Sequence, residues 1–169
     1  MDYHRPTSTG TFDFGCVDSS KDTGSIGYTP VNATGGEWAV AITGMQVGPI
    51  GKFIEAGWNI IVDTGAGQSS VSRWVADIYF ARIPNSTCNA AFNTYQFPCS
   101  ATLLDFTFGV PTEARFLLAI CFGAIDGTKC VSQLLVATGT VIWGQTFIEA
   151  QYIVLDWDNS RISFANKPH

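Results

Sequence analysis

The chain has 169 residues, a net charge of −5 at pH 7 and only two histidines. Its length favours one domain, and its acidic balance excludes the broad basic patch through which counterion release drives nucleic-acid binding. His4 and His169 lie near the ends of the chain, where structure is usually poorly ordered. We therefore expect no Ser-His-Asp, Cys-His or His-ligated zinc chemistry, and we predict neither a metal nor a cofactor.

Strand patterns alternate with glycine- and proline-rich turns along the chain, which is typical of a mostly β domain. Residues 1–10 are predicted to form a polar N-terminal arm, and residues 11–169 one domain without a linker. The clearest alternation runs through Trp38, Val40 and Ile42. The patterns predict strands over residues 11–17, 25–31, 37–47, 58–62, 95–98, 103–110, 115–122 and 134–143, and a closing hairpin of residues 152–156 and 161–165.

Two short helices interrupt the predicted strands. Apolar residues from Val71 to Tyr79 recur at helical spacing, and Ser69 or Ser70 is the predicted N-cap. A second short helix is predicted over residues 145–150. With only these two helices, the domain stays mostly β.

The cysteines and two glycosylation sequons bear on the compartment. Cysteines stand at positions 16, 88, 99, 121 and 130 without a C-x-x-C spacing. Four of them could form two disulfides, Cys88 and Cys130 being candidates for one bridge and Cys16 for a buried free thiol. The sequons Asn32-Ala33-Thr34 and Asn85-Ser86-Thr87 suggest a secretory lineage. Residues 1–6 lack the pattern of a signal peptide, and no apolar stretch is long enough to span a membrane, so the compartment stays unassigned.

The stretch from Asn59 to Gly67 carries the strongest candidate for chemistry. Its sequence, Asn-Ile-Ile-Val-Asp-Thr-Gly-Ala-Gly, places Asp63 directly after an apolar strand and before small residues that allow a tight turn. Because an unpaired charge is costly to bury, Asp63 either accepts hydrogen bonds from the turn as a structural residue or is adapted for chemistry. Asp156, after the apolar run 152–155, is the second candidate and is expected to be structural.

A second apolar strand stops at glycine, in the sequence Thr140-Val141-Ile142-Trp143-Gly144. Together with the Asp-Thr-Gly turn, the capped helix and the closing hairpin, it resembles one lobe of a pepsin-type aspartic protease. Similarity to the C-terminal lobe of fungal pepsins extends to residues 11–26, 97–103, 121–125, 151–156 and 162–165. The resemblance implies a mostly β fold in which residues 11–169 form a single pepsin-like lobe, β-barrel-like with one or two short helices.

In this family each lobe contributes one catalytic aspartate, and the two carboxylates share a proton because like charges so close cannot both ionise. The resemblance implies that Asp63 is the acid/base carboxylate, that Thr64 braces the turn through its hydroxyl and that Gly65 provides backbone freedom. The implied substrate contacts are Ala66, Gly67, Gln68, Trp58 and Trp143. The implied structural supports are Gly144, Gln145 and a Cys99–Cys121 disulfide.

The sequence also departs from the family pattern. Asp-Thr-Gly occurs twice, but only residues 63–65 follow an apolar strand, whereas residues 22–24 lie in a polar turn. The family places its second aspartate and a substrate-covering flap on an N-terminal lobe that is missing from this sequence. Residues 66–68 replace the usual Thr or Ser and the apolar residues after it, and Gln145 replaces the usual aspartate. The open question is whether a second carboxylate, from this chain or from a neighbour, lies beside Asp63.

Three functions stay open. A homodimer about a two-fold axis would place two copies of Asp63 side by side as a peptidase. A non-proteolytic enzyme would use Asp63 for acid–base isomerisation or cyclisation of an apolar small molecule in a pocket lined by Trp58 and Trp143. A catalytically silent domain would bind a partner through its exposed face. The expected ligand is accordingly a peptide or an apolar small molecule, with no nucleic-acid or membrane partner.

Overall fold

A computed structural model describes residues 10–22, 26–111, 115–118, 122–124 and 128–166. Nearly all of the predicted arm, residues 1–10, lies outside these ranges. The described elements are β1 Tyr28–Asn32, β2 Trp38–Val47, β3 Ile54–Val62, β4 Ser69–Val71, α1 Arg73–Phe80, β5 Thr87–Asn89, β6 Thr94–Pro98, β7 Phe106–Gly109, β8 Arg115–Leu118, β9 Phe122–Ala124, β10 Lys129–Ser132, β11 Leu134–Val136, β12 Ile142–Trp143, α2 Gln145–Ile148, β13 Gln151–Asp156 and β14 Arg161–Asn166. The predicted mostly β class is confirmed.

The strands form one large curled sheet and two smaller ones. The large sheet has the order β12-β3-β2-β1-β14-β13, with β7 also pairing with β2 and β8 with β7. A four-stranded sheet has the order β5-β6-β10-β9, and β4 pairs with β11. The β3–β12 and β4–β11 pairs are parallel, whereas the other pairs are antiparallel. Residues 63–68 connect β3 to β4, and two later strands, β12 and β11, run parallel to β3 and β4 respectively.

Strand β2 matches the strand predicted over residues 37–47, but its pattern of burial changes partway along. Val40 and Ile42 are buried, but the buried apolar positions then shift to Met45 and Val47. The register with β3 shifts between Ile42 and Gly44, which is a β-bulge. A bulge adds one residue to one strand, so the buried apolar residues of β2 stand at even-numbered positions before the bulge and at odd-numbered positions after it.

Helix α1 begins later than its apolar spacing predicts. Ser72 is the N-cap and Arg73 the first helical residue, so the prediction of Ser69 or Ser70 as the cap is wrong. Residues 69–71 instead pair with β11, and the Ala137 N–H donates to the Val71 carbonyl at 2.8 Å. This pairing with a distant strand outweighs local helix propensity.

The other predicted elements fare differently. The closing hairpin (β13 and β14) and the second short helix (α2) are confirmed. Residues 134–143 form two strands separated by a turn, and residues 11–17 form no strand. Phe12 and Phe14 in that segment are 79% and 91% exposed, and Cys16 is exposed rather than buried. No helix in the described ranges is long and apolar enough to cross a membrane.

The disulfide joins Cys99 to Cys130, whose Cα atoms are 4.9 Å apart. The predicted Cys99–Cys121 and Cys88–Cys130 bridges are therefore wrong, since a sulfur forms only one such bond. Antiparallel pairing of β6 with β10 places Cys130 opposite Phe97, two residues before Cys99. Cys88 is free and exposed on β5, and Cys121 lies outside the described residues.

Candidate active site

Asp63 directly follows β3 and is anchored to β12. Its N–H donates to the Trp143 carbonyl at 3.0 Å, and the Ile61 N–H donates to the Val141 carbonyl at 2.9 Å. The parallel register sets Val62 beside Trp143. The position of Asp63 is thus determined by a strand about 80 residues later in the sequence.

The Asp63 carboxylate is oriented by its own turn. The Gly65 N–H donates to Oδ1 at 2.8 Å, and the Ala66 N–H donates to the Asp63 carbonyl at 3.3 Å. Asp63 is half-buried, whereas Thr64 and Gly65 are exposed. Within the described part of the chain, Oδ2 has no hydrogen-bond partner and Asp63 forms no ion pair. The carboxylate is therefore fixed through one oxygen, while the other is open to a ligand.

The Thr64 hydroxyl does not brace this turn in the way the resemblance implies. It has no hydrogen-bond partner among the described residues, and the side chain is exposed. The bracing comes from the Gly65 and Ala66 amides instead. Thr64 is left free to contact a neighbouring lobe or ligand.

Gly144 lies where β12 passes beneath residues 66–68. A Cβ atom at Gly144 would come within 3.0 Å of the Ala66 and Gln68 carbonyl oxygens and to 2.9 Å of the Ala66 Cβ. The next residue, Gln145, donates its N–H to the Ala66 carbonyl at 2.7 Å. Only glycine fits this crossing, because the opposing atoms are backbone and cannot rotate away.

Gln145 supports the loop through its backbone and not through its side chain. Its Nε2 donates to Glu149 Oε1 at 2.6 Å, one turn further along α2. The side chain is exposed and belongs to an ordinary i,i+4 pair. The departure from the family's aspartate at this position therefore leaves the bond to Ala66 intact.

Ser69 and Thr146 form a buried polar contact that the sequence did not reveal as part of the site. The Gly144 N–H donates to Ser69 Oγ at 3.0 Å, and the Thr146 hydroxyl donates to the same oxygen at 2.7 Å. The Ile142 N–H donates to Ser70 Oγ at 2.9 Å. Both serines, read from sequence as helix caps, thus tie β4 to the strand beneath Asp63. Their position just after the Asp-Thr-Gly loop is the signal that could have indicated this role.

The predicted substrate contacts separate into two groups. Ala66 is half-buried, and Gly67 and Gln68 are exposed on the loop that follows Asp63. Trp58 lies five residues before Asp63, about 16 Å away along the strand. Trp143 is fully buried, so its prediction as a substrate contact is wrong.

The space between the two tryptophans is filled by Phe108. Its ring centroid lies 6.0 Å from that of Trp58 and 4.7 Å from that of Trp143. Trp143 also packs against Phe147 at 4.1 Å, and Trp58 against Trp74 at 5.3 Å. Phe108 and Trp143 are fully buried, so within the described part of the chain a core ring, and not a cavity, separates Trp58 from Trp143.

Asp156, the second candidate, is structural. Arg161 Nε donates to its Oδ2 at 2.6 Å, and the Asn159 amide donates to both oxygens at 2.9 Å. The hydrogen bonds from Arg161 and Asn159 lower the pKa of the Asp156 carboxyl below its ordinary value. Both oxygens are occupied in closing the β13–β14 turn, in contrast to the open oxygen of Asp63.

The described part of the chain offers no cluster of metal-binding side chains. Across the ranges that the structure describes, no three His, Cys, Asp or Glu side chains are close enough to bind an ion together.

A mostly β lobe that presents one aspartate on an Asp-Thr-Gly turn, above a strand ending in glycine, defines an aspartic-protease-type lobe.

Comparison with known proteins agrees with this class. Residues 2–167 match the family described as eukaryotic aspartyl protease, and the chain belongs to that family. It is 33% identical to penicillopepsin-3 of Penicillium janthinellum over 92% of this chain and 41% of that protein. It is 34% identical to endothiapepsin of Cryphonectria parasitica, over 99% and 41% respectively. It is 32% identical to podosporapepsin of Podospora anserina, over 99% and 40%. The chain thus spans about two-fifths of the length of these curated relatives.

Proposed function

We propose that Asp63 is one of two catalytic carboxylates for peptide-bond hydrolysis, and that a second lobe supplies the other. The observation that carries this proposal is the geometry of the Asp63 carboxylate. Oδ1 accepts the Gly65 N–H at 2.8 Å, while Oδ2 is open beside the exposed Thr64 and Gly65. A carboxylate held in this way can accept a proton from a bound water without losing its orientation.

Two carboxylates are needed because the reaction requires a base and an acid at the same time. The ionised carboxylate removes a proton from water as the water oxygen bonds to the carbonyl carbon of the peptide. The protonated carboxyl gives its proton to the carbonyl oxygen, which yields a neutral tetrahedral diol. The carboxyl that took the proton from water then gives it to the amide nitrogen, and the other carboxylate takes a proton from one diol hydroxyl. The C–N bond breaks to leave a carboxylic acid and an amine. Two adjacent carboxyls share one proton and thereby provide both forms together.

The first candidate for the second lobe is another copy of this chain. A two-fold axis beside the Asp63 turn would bring two such turns together, and two-fold interfaces are the commonest in homo-oligomers. The exposed Thr64, Gly65, Gly67 and Gln68 would face the partner copy. A separate N-terminal lobe is the second candidate, because the chain covers only part of its relatives' length.

Neither other function that the sequence left open is favoured by an observation. The non-proteolytic enzyme was expected to hold its apolar ligand between Trp58 and Trp143, where the Phe108 ring lies. A silent binding domain would not need the hydrogen bond that orients the Asp63 carboxylate. The peptidase proposal uses this hydrogen bond and needs no ligand site between the two tryptophans.

The test measures self-association and cleavage together. Sedimentation at acidic and neutral pH is compared with digestion of a denatured protein substrate, with and without pepstatin. We expect Asp63→Asn to lower the cleavage rate by at least about 10³-fold without lowering the melting temperature. Asp158→Asn removes an exposed acid from the β13–β14 turn and serves as the matched control with unchanged rate.

Mixing the variant with the wild-type chain tests the homodimer. After random exchange of subunits in an equal mixture, about a quarter of the dimers hold two wild-type copies. Activity therefore falls to about a quarter, and not to half, of that of the same total amount of wild-type chain. Cleavage that persists in Asp63→Asn overturns the proposal. A monomer that cleaves only after a separate lobe is added supports the paired carboxylates and overturns the homodimer.

A further inference from the structure

Two Asn-x-Thr sequences lie on exposed turns that the proposed function does not use. Asn32-Ala33-Thr34 runs from the last residue of β1 into the following turn, and Asn85-Ser86-Thr87 runs from the α1–β5 connection into β5. Asn32, Thr34, Asn85 and Thr87 are all exposed. Asn-x-Ser/Thr is the acceptor sequence for N-linked glycans. We propose that both Asn32 and Asn85 are N-glycosylated.

The turn at Asn32 leaves free the atom that receives the sugar. Asn32 Oδ1 accepts the Thr34 N–H at 3.1 Å and the Thr34 hydroxyl at 2.6 Å. The Nδ2 atom has no hydrogen-bond partner in the described part of the chain. A glycan on Nδ2 leaves Oδ1 as an acceptor, so the folded turn persists after modification.

The turn at Asn85 is fixed by its neighbour and not by Asn85 itself. The Ser86 hydroxyl donates to the Phe80 carbonyl at 2.6 Å, and the Ser86 N–H donates to the Ile83 carbonyl at 3.2 Å. Asn85 has φ 59°, a left-handed conformation that asparagine tolerates better than most residues. Its exposed amide is therefore available for a glycan without loss of a bond that holds the turn.

A shallow depression of about 280 Å³ adjoins Asn85. The polar residues Thr87, Gln96 and Lys129 line it together with the apolar Pro98. This combination suits the first sugar of a glycan, which has polar edges and an apolar face. The sugar can therefore lie against the four-stranded sheet rather than displace it.

The transfer step replaces one hydrogen on Nδ2. The Nδ2–C1 bond forms as the C1–oxygen bond of a lipid-linked oligosaccharyl diphosphate breaks. The diphosphate leaves with the electron pair, and Nδ2 loses one proton to a base of the transferase. The Cys99–Cys130 disulfide fits this history, because disulfides persist in the oxidising compartments of the secretory route.

The test reads occupancy by mass. The chain is secreted from a yeast host behind a leader peptide and analysed as peptides before and after enzymatic release of N-glycans, which converts an occupied asparagine to aspartate. We expect conversion at Asn32 and Asn85. Asn93 is the internal control, because it is exposed and left-handed with φ 49° but has Tyr95 at the third position.

Matched variants separate loss of the acceptor from loss of the fold. Thr34→Ala and Thr87→Ala each remove one glycan, whereas Thr34→Ser and Thr87→Ser keep the hydroxyl and the glycan. Circular dichroism of the secreted chains shows whether each variant is folded. A folded, secreted wild-type chain in which either asparagine is unmodified overturns the assignment of that asparagine.

Discussion

The Asp63 turn and the four-stranded sheet of β5, β6, β10 and β9 reach a fixed geometry by different means. Around Asp63, backbone N–H groups donate to distant carbonyls, and β12 crosses the loop at Gly144 with no room for a side chain. In the four-stranded sheet, the Cys99–Cys130 disulfide joins β10 to the end of β6. The Tyr95 ring stacks on Phe80 at 4.2 Å and 6°, which packs the sheet against α1.

The difference indicates where each region tolerates change. Backbone and small hydroxyl groups leave little freedom for adjustment, so the Asp63 turn is sensitive to the addition of one methyl group. Side chains and a covalent bond hold the other sheet, so losses there reduce stability without moving the carboxylate. Substitutions in the two regions should therefore differ both in cost and in their effect on the Asp63 turn.

Gly144→Ala should be the most damaging single change. The added methyl would meet the Ala66 and Gln68 carbonyls and the Ala66 Cβ, so the loop or β12 must move. We expect a loss of about 4 kcal/mol in the free energy of unfolding, above the usual range for overpacking because the obstructing atoms are backbone. Gly57→Ala, on exposed β3 backbone with open space at the new Cβ, is the control. A denaturant midpoint unchanged by Gly144→Ala would contradict the close crossing.

Replacing both disulfide cysteines by serine should cost about 3 kcal/mol. The bridge closes a loop of 31 residues, and its removal restores entropy to the unfolded chain. We expect the loss in denaturant unfolding, with the amide signals of Gly65 and Ala66 unchanged in NMR spectra. Cys88→Ser, at an exposed free thiol, should change stability by less than about 0.5 kcal/mol. Equal effects of the two replacements would refute the pairing of Cys99 with Cys130.

Ser69→Ala should destabilise by about 2 kcal/mol and disturb the Asp63 turn. It leaves the buried Gly144 N–H and the Thr146 hydroxyl without their acceptor. We expect shifted Gly65 and Ala66 amide signals, which the disulfide variant should not show. Ser100→Ala, at an exposed turn of the other sheet, is the control. Unshifted signals in Ser69→Ala would show that the turn does not depend on this contact.

Tyr95→Phe should have the smallest effect at neutral pH and a visible one in alkali. Burial and the hydrogen bond to Asp77 raise the pKa of Tyr95 to about 12, from an ordinary 10.0. The folded state therefore holds the phenolic proton longer than the unfolded chain does. The contribution is fully present below pH 10 and is lost as the pH rises towards 12.

Denaturant unfolding at several pH values measures this dependence. The variant should show a shallower decrease in stability between pH 10 and 12 than the wild-type chain. Tyr28→Phe, which keeps the ring beneath Arg161, should retain the wild-type decrease. If Tyr95→Phe follows the wild-type curve, Tyr95 does not carry the raised pKa.

Local patterns predicted part of the fold well. The β13–β14 hairpin and most of β2 were found because alternation and turn residues lie within a few positions of one another. The start of α1 was misplaced because the residues before it pair with β11, more than 60 residues later. Cys130 was assigned to the wrong partner because β10 was not predicted, and its pairing with β6 decides which cysteines meet.

Residue types at short spacing were enough to predict the mostly β class and the family resemblance, and to identify Asp63 as the candidate for chemistry. Tertiary structure alone decided that Trp143 is buried in the core, that Ser69 accepts the Gly144 N–H across 75 residues, and that one Asp63 oxygen is held while the other is open. These features arise where strands distant in the chain cross. Packing and backbone hydrogen bonds at such crossings depend on three-dimensional register, which no local pattern contains.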